Sequence, residues 1–120
     1  MRIPEDGTLL RVFLGESDRH DGRLLYEAIV LKARELHLAG ATVLRGIMGY
    51  GRNSRLHTAK ILRLSEDLPI VVEIVDSEER IAPLLPWLDS VVKEGLVTLE
   101  RVRVVRYVGE GPTQGKEEGR

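Results

Sequence analysis

The stretch PIVVEIVDSEERIAPLLPWLDSVV, from Pro69 to Val92, changes its apolar period partway along. Up to Val75 the side chains alternate, with Ile70, Val72 and Ile74 on one side and Val71 and Val75 on the other, which is the period of a strand. After Asp76 the spacing is helical, carried by Ile81, Leu84, Leu85, Leu88, Val91 and Val92. Between the two patterns, Asp76-Ser-Glu-Glu79 resembles a capping box, in which a polar side chain takes up a free amide of the first turn. Pro83 and Pro86 stand inside the helical stripe. An interior proline removes a hydrogen bond and costs about 3 kcal/mol. The spacing therefore predicts a second helix that breaks or kinks near these prolines and stops at Gly95.

The same order of strand then helix occurs earlier in the chain. Thr8 to Leu14 reads as a strand, with Leu10, Val12 and Leu14 on one face and Leu9 and Phe13 on the other around Arg11. A polar connector from Gly15 to Gly22 follows, with Asp21 as the expected N-cap of a helix that opens near Arg23. Leu25, Ala28, Ile29, Ala33 and Leu36 form its apolar stripe, and Gly40 reads as its C′ glycine. Ala41 to Tyr50 reads as the second strand, interrupted by glycines that mark a bulge or a close backbone approach. Arg52 to Lys60 reads as a loop, Ile61 to Leu64 as resumed strand, and Leu96 to Tyr107 as a long last strand. Residues 109–120 read as a disordered or frayed tail beyond a domain spanning 1–108.

The order strand, helix, strand, strand, helix, strand gives an α+β ferredoxin-like βαββαβ fold. Its four-stranded antiparallel sheet carries both helices on one face. Strands one and three are apolar on both sides, so the second face needs a cover too. With no element left over, another copy of the chain is the economical one.

Composition limits the chemistry. The chain has 120 residues, 42% apolar and 31% charged, and no cysteine, which excludes disulfides and thiolate chemistry. A net charge of −1 gives no overall pull toward nucleic acid or anionic membrane. No apolar run approaches the ~18 residues of a membrane span and no secretory leader is visible, so a cytoplasmic location without membrane insertion is expected. His20, His37 and His57 lack metal-binding spacing, so no metal site is expected. The serines and threonines form no nucleophile arrangement, and no catalytic residue is expected.

Gly46-Ile-Met-Gly49-Tyr-Gly51-Arg52-Asn53 is the most unusual segment, because its glycines admit a close ligand and its arginine suits phosphate. It lacks the Gly-Lys-Ser/Thr ending of a P-loop and the strand-to-helix setting of a dinucleotide fingerprint. From Arg45 to Arg63 stand five Arg or Lys residues and no acid, a basic strip on a near-neutral chain. Nucleic acid is not the expected partner of this strip, since Tyr50 alone offers a stacking ring.

Leu38-Ala-Gly-Ala-Thr-Val-Leu-Arg-Gly-Ile-Met-Gly-Tyr-Gly51 and the run from His57 to Asp76 resemble the PII-like family known as the domain of unknown function DUF190, over about residues 8–107. The resemblance implies a ferredoxin-like fold and a homotrimer, as in PII nitrogen-regulatory proteins. Gly40-Ala-Thr42-Val43 and Gly49-Tyr-Gly51-Arg52-Asn53 are similar to the PII motifs that hold an adenine nucleotide between subunits. This implies a nucleotide effector, rather than a cofactor, at Gly40, Thr42, Gly49, Gly51, Arg52, Asn53 and Arg106. It further implies partner binding through Arg52, Arg55, His57 and Lys60, with a membrane transporter or channel as a candidate partner; some relatives lie beside small fluoride channels. Val92-Lys-Glu-Gly95 replaces the glycine-and-lysine phosphate loop of PII. Two other readings stay open: a trimer similar to the metal-tolerance protein CutA, structural or metal-binding without nucleotide, and a small enzyme acting on a phosphorylated substrate with His57 as its acid or base.

Overall fold

A computed structural model describes residues 6–50 and 67–109, with the backbone of the short strands at 57–58, 113–114 and 117–118. In chain order the elements are β1 (Asp6–Gly15), β2 (Arg19–His20), β3 (Arg23–Leu24), α1 (Leu25–Glu35), β4 (Thr42–Arg45), β5 (Met48–Gly49), β6 (His57–Thr58), β7 (Pro69–Asp76), α2 (Glu78–Ile81), α3 (Leu84–Val91) and β8 (Leu96–Arg103). Two short strands, β9 (Thr113–Gln114) and β10 (Glu117–Glu118), pair within the tail, the rest of which from 110 lies outside the described residues. The main sheet has the order β4-β7-β1-β8 with every pairing antiparallel. This is the βαββαβ arrangement expected from the apolar periods.

One face of the sheet carries Leu10, Val12, Leu14, Ile70, Val72 and Ile74, all buried against Leu25, Ile29 and Ala33 of α1 and Leu84, Leu88 and Val91 of α3. Burying each such side chain stabilises the fold by about 1.5–3 kcal/mol, so this layer holds the domain together. The other face is crossed by a row of apolar residues, Leu44, Val71, Phe13 and Leu96, in register over all four strands. Beside it lies a polar row of Thr42, Glu73, Arg11 and Thr98. Arg11 Nε donates to Glu73 at 2.9 Å, and its Nη1 reaches Glu100 at 3.3 Å. The Glu73 hydrogen bond holds the Arg11 guanidinium pKa above its ordinary value, since it favours the charged form. Among the described residues no helix covers this face, and Leu44 and Leu96 stay about half exposed.

The expected break in the second helix is present. α2 ends at Ile81, Pro83 occupies the N-cap position of α3, and Pro86 falls in the first turn of α3. A first-turn residue has no intrahelical acceptor for its amide, so proline does little harm there. The cap itself differs from expectation: Ser77, not Asp76, is the N-cap, and its hydroxyl accepts from Arg80 N at 3.2 Å.

Several expected boundaries move. Asp21 is not a helix cap. Asp21 (φ 51°) and Gly22 (φ 77°) form the two-residue turn of a β2–β3 hairpin, and α1 starts after Leu24 without a side-chain cap. Gly40 does not end α1. His37 takes the left-handed position (φ 61°), with Leu38 N donating to Ala33 O and His37 N to Arg34 O, both at 3.0 Å. These are the two bonds of a Schellman ending. The second strand divides, because Gly46 N turns to Pro69 O at 2.7 Å and the chain then pairs Met48 and Gly49 with Thr58 and His57. The expected loop thus contains β6, and Ile61 to Leu64 lie outside the described residues. β8 stops at Arg103 rather than Tyr107.

Gly95 stands past the end of α3 rather than at it, at φ 154°, where an added Cβ would sit 2.4 Å from the Phe13 carbonyl oxygen. Gly40, by contrast, has nothing within 4 Å of such an atom. In urea unfolding, Gly95→Ala should lower stability by about 1–3 kcal/mol, while Gly40→Ala should change it by about 0.5 kcal/mol or less.

Candidate functional site

Where the apolar row of the open face meets the ends of the strands, Phe13, Val71 and Leu96 form the floor of a cavity of about 810 Å³. Its walls come from two irregular connections. Gly46, Met48, Gly49 and Tyr50 follow β4, and Lys93, Glu94 and Gly95 follow α3. The volume is within the ~300–1,000 Å³ typical of small-ligand sites.

The electrostatics of this wall are divided. Asp18 and Asp67 line the cavity, and each has backbone to bind: Asp18 accepts from Gly15 N at 3.0 Å and Asp67 from Ser17 N at 2.6 Å. Lys93 is the cation among the described lining residues, beside Glu94. Arg45, on the neighbouring strand end, is held by Glu16 at 2.5 Å. Among the described residues no group of three His, Cys, Asp or Glu could hold a metal ion, and no helix is long and apolar enough to cross a membrane.

The described candidate ligand residues fall into two groups. Gly49 lines the cavity, and a Cβ there would meet Pro69 Cγ at 3.1 Å, so packing on Pro69 is one structural reason for the missing side chain. Gly51, Arg52, Asn53, Arg55 and Lys60 lie outside the described residues, as does the side chain of His57. Gly40, Thr42 and Arg106 are exposed and do not line the cavity. Thr42 opens β4 opposite Glu73, whereas Arg45 ends it opposite Ile70, about 10 Å further along at ordinary strand rise. Arg106 lies past the end of β8, where the neighbouring Tyr107 hydroxyl donates to Ala39 O at 3.2 Å. Arg106 is thereby brought to the Gly40 side, away from the cavity.

Three contributors carry no pattern in the sequence that singles them out. Asp18 and Asp67 are distant in the chain and meet only through the turn after β1. Tyr107 is a lone aromatic after a strand. Asp76 was legible as a polar residue at a helix start, but its bonds to the loop before Gly40 depend on the fold.

The family model of DUF190, "Uncharacterized ACR", matches residues 7–104. A UPF0166 protein of Aquifex aeolicus is 40% identical over 97 residues, covering 81% of this chain and 91% of the relative. One from Methanocaldococcus jannaschii is 39% identical over 103 residues, covering 85% and 93%. Among solved structures, the fold is similar to that of CPII from Thiomonas intermedia, a nitrogen regulatory PII-like protein. The form bound to ADP and bicarbonate matches with TM-score 0.64 and 18% identity, covering 84% of this chain and 90% of that one. The form bound to ADP, AMP and bicarbonate matches with TM-score 0.61, also at 18% identity and the same coverage. With the family model spanning nearly the whole described domain and relatives near 40% identity across it, this chain belongs to the DUF190 family and has the PII-like, ferredoxin-like fold.

Proposed function

We propose that this protein is a cytoplasmic PII-like regulator without catalytic activity of its own. Three copies assemble through the open sheet faces and bind an adenine nucleotide in the clefts between them. The ligand orders the 52–60 segment, which docks on a partner such as a membrane transporter or channel. The observation that carries this reading is the separation of Gly40, Thr42 and Arg106 from the cavity beside Gly49. Within one copy, Gly40, Thr42 and Arg106 stand apart from that cavity. Two adjacent copies can bring both groups to one ligand, if the cavity of one faces the Gly40 side of the next.

Charge supports the same arrangement. Asp18, Asp67 and Glu94 outnumber Lys93 on the described wall, so phosphate groups need cations from elsewhere. Arg52 and its basic neighbours in the same copy, and Arg106 from the next, are the available sources. The nucleotides bound to CPII, of the same fold, are ADP and AMP, which makes adenine nucleotides the class to test first.

Assembly is checked by light scattering, which should give a mass near three chains. Phe13→Asp places a charge in the middle of the apolar row and should yield folded single copies, with the circular dichroism of the wild type; a wild type that is already a single copy contradicts the reading. Binding is checked by calorimetry with ATP, ADP and AMP. Arg52→Ala removes a charge-assisted phosphate contact and should cost about 1.5–3 kcal/mol, or roughly ten- to a hundredfold in affinity. Gly51→Val should obstruct the ligand while leaving the trimer intact. A wild type that binds none of the three at millimolar concentration overturns the nucleotide reading.

A further inference from the structure

The segment before Gly40 is held on both sides of a single residue, Ala39, through the peptide units before and after it. Asp76, fully buried at the end of β7, accepts from Ala39 N at 2.9 Å through Oδ2. The same carboxylate accepts from Ser77 N at 2.7 Å and from Arg80 Nε at 3.2 Å. Arg80 in turn donates to His37 O, on the left-handed residue that ends α1. Ala39 O, the other half of the clamp, accepts from the Tyr107 hydroxyl at 3.2 Å.

This arrangement exceeds what the fold requires. Ser77 already caps α2, and the Schellman ending already closes α1. What remains for Asp76 and Tyr107 is to fix where Ala39 stands relative to β7 and to the segment after β8. Ala39 precedes Gly40 and Thr42, and Tyr107 follows Arg106. A buried carboxylate that spends its oxygens on backbone and guanidinium donors has no freedom to move, so the peptide it grips is held firmly.

We propose that Asp76 and Tyr107 are positioning residues that hold Gly40, Thr42 and Arg106 together as one half of the ligand site. The inference rests on the nucleotide reading above and adds to it two residues that do not themselves touch the ligand. The gain is preorganisation: without the clamp, the 39–42 segment and Arg106 must be brought together at the expense of binding.

Tyr107→Phe tests this most cleanly, because it removes one hydroxyl from a residue that is 42% exposed. The expected result is an unchanged melting temperature and an unchanged trimer. Amide exchange at Ala39 should rise while the amides of β1 and β7 keep their rates, and ADP affinity should fall about two- to tenfold. Asp76→Asn keeps the shape and weakens the same grip. It should raise exchange at Ala39 and lower affinity beyond Tyr107→Phe, here with some loss of stability. Wild-type ADP affinity in Tyr107→Phe overturns the inference, whether or not exchange changes, and leaves the nucleotide reading standing. A wild type that binds no ADP, ATP or AMP overturns the nucleotide reading, and the positioning role falls with it.

Discussion

The sheet has two apolar faces and helix enough for one. Leu10, Val12, Leu14, Ile70, Val72 and Ile74 are consumed by α1 and α3, which leaves the row Leu44, Val71, Phe13 and Leu96 facing outward. Val71, Phe13 and Leu96 of that row also form the floor of the cavity. An apolar surface of this kind favours association by removing its area from water, and it runs into the candidate site, so in the proposed trimer assembly and ligand binding would share residues. The Arg11–Glu73–Glu100 cluster lies on the same face, and in the proposed assembly it would supply the polar matching between two such faces.

Around this constraint, the irregular parts of the chain take up distinct tasks. Gly46 and Pro69 turn the chain away from the sheet at one end, so that the segment after β4 rises over the cavity. Gly95 admits the backbone of β1 at the same end. At the other end, Asp76 draws the start of α2 and the segment before Gly40 onto one carboxylate, and Arg80, bound to it, reaches the residue that ends α1. Strands of the sheet separate the two ends, so the proposed site draws one group from each of two copies.

The sheet and its helices were legible because they rest on periods that burial enforces. Ile70, Val72 and Ile74 alternate as a strand must, and Pro83 with Pro86 announced the break between α2 and α3. The misreadings lie where local chemistry has two uses. Asp21-Gly22 serves a hairpin as well as it would precede a helix, and in the fold it turns the β2–β3 hairpin. Gly40 looked like a helix ending because glycine is favoured there, yet His37 adopts the left-handed conformation three residues earlier. Of the ligand residues expected from the sequence, Gly49 lines the cavity, whereas Gly40 and Thr42 do not. The geometry of the site was not legible, because the cavity wall of Asp18, Asp67 and Lys93 and the clamp by Tyr107 join residues far apart in the chain.

The central claim is that each ligand is held by two copies, one giving Arg52 and the other Arg106. Mixed assemblies test it most directly. Arg52→Ala and Arg106→Ala homotrimers should each bind adenine nucleotide much more weakly than the wild type. If the two are unfolded, mixed in equal amounts and refolded together, adjacent copies can pair an intact Arg52 with an intact Arg106. Calorimetry should then recover strong binding at about one site in four, the statistical share for a cyclic assembly. Mixed assemblies that bind no better than either variant alone would place both arginines in one copy's site and contradict the account.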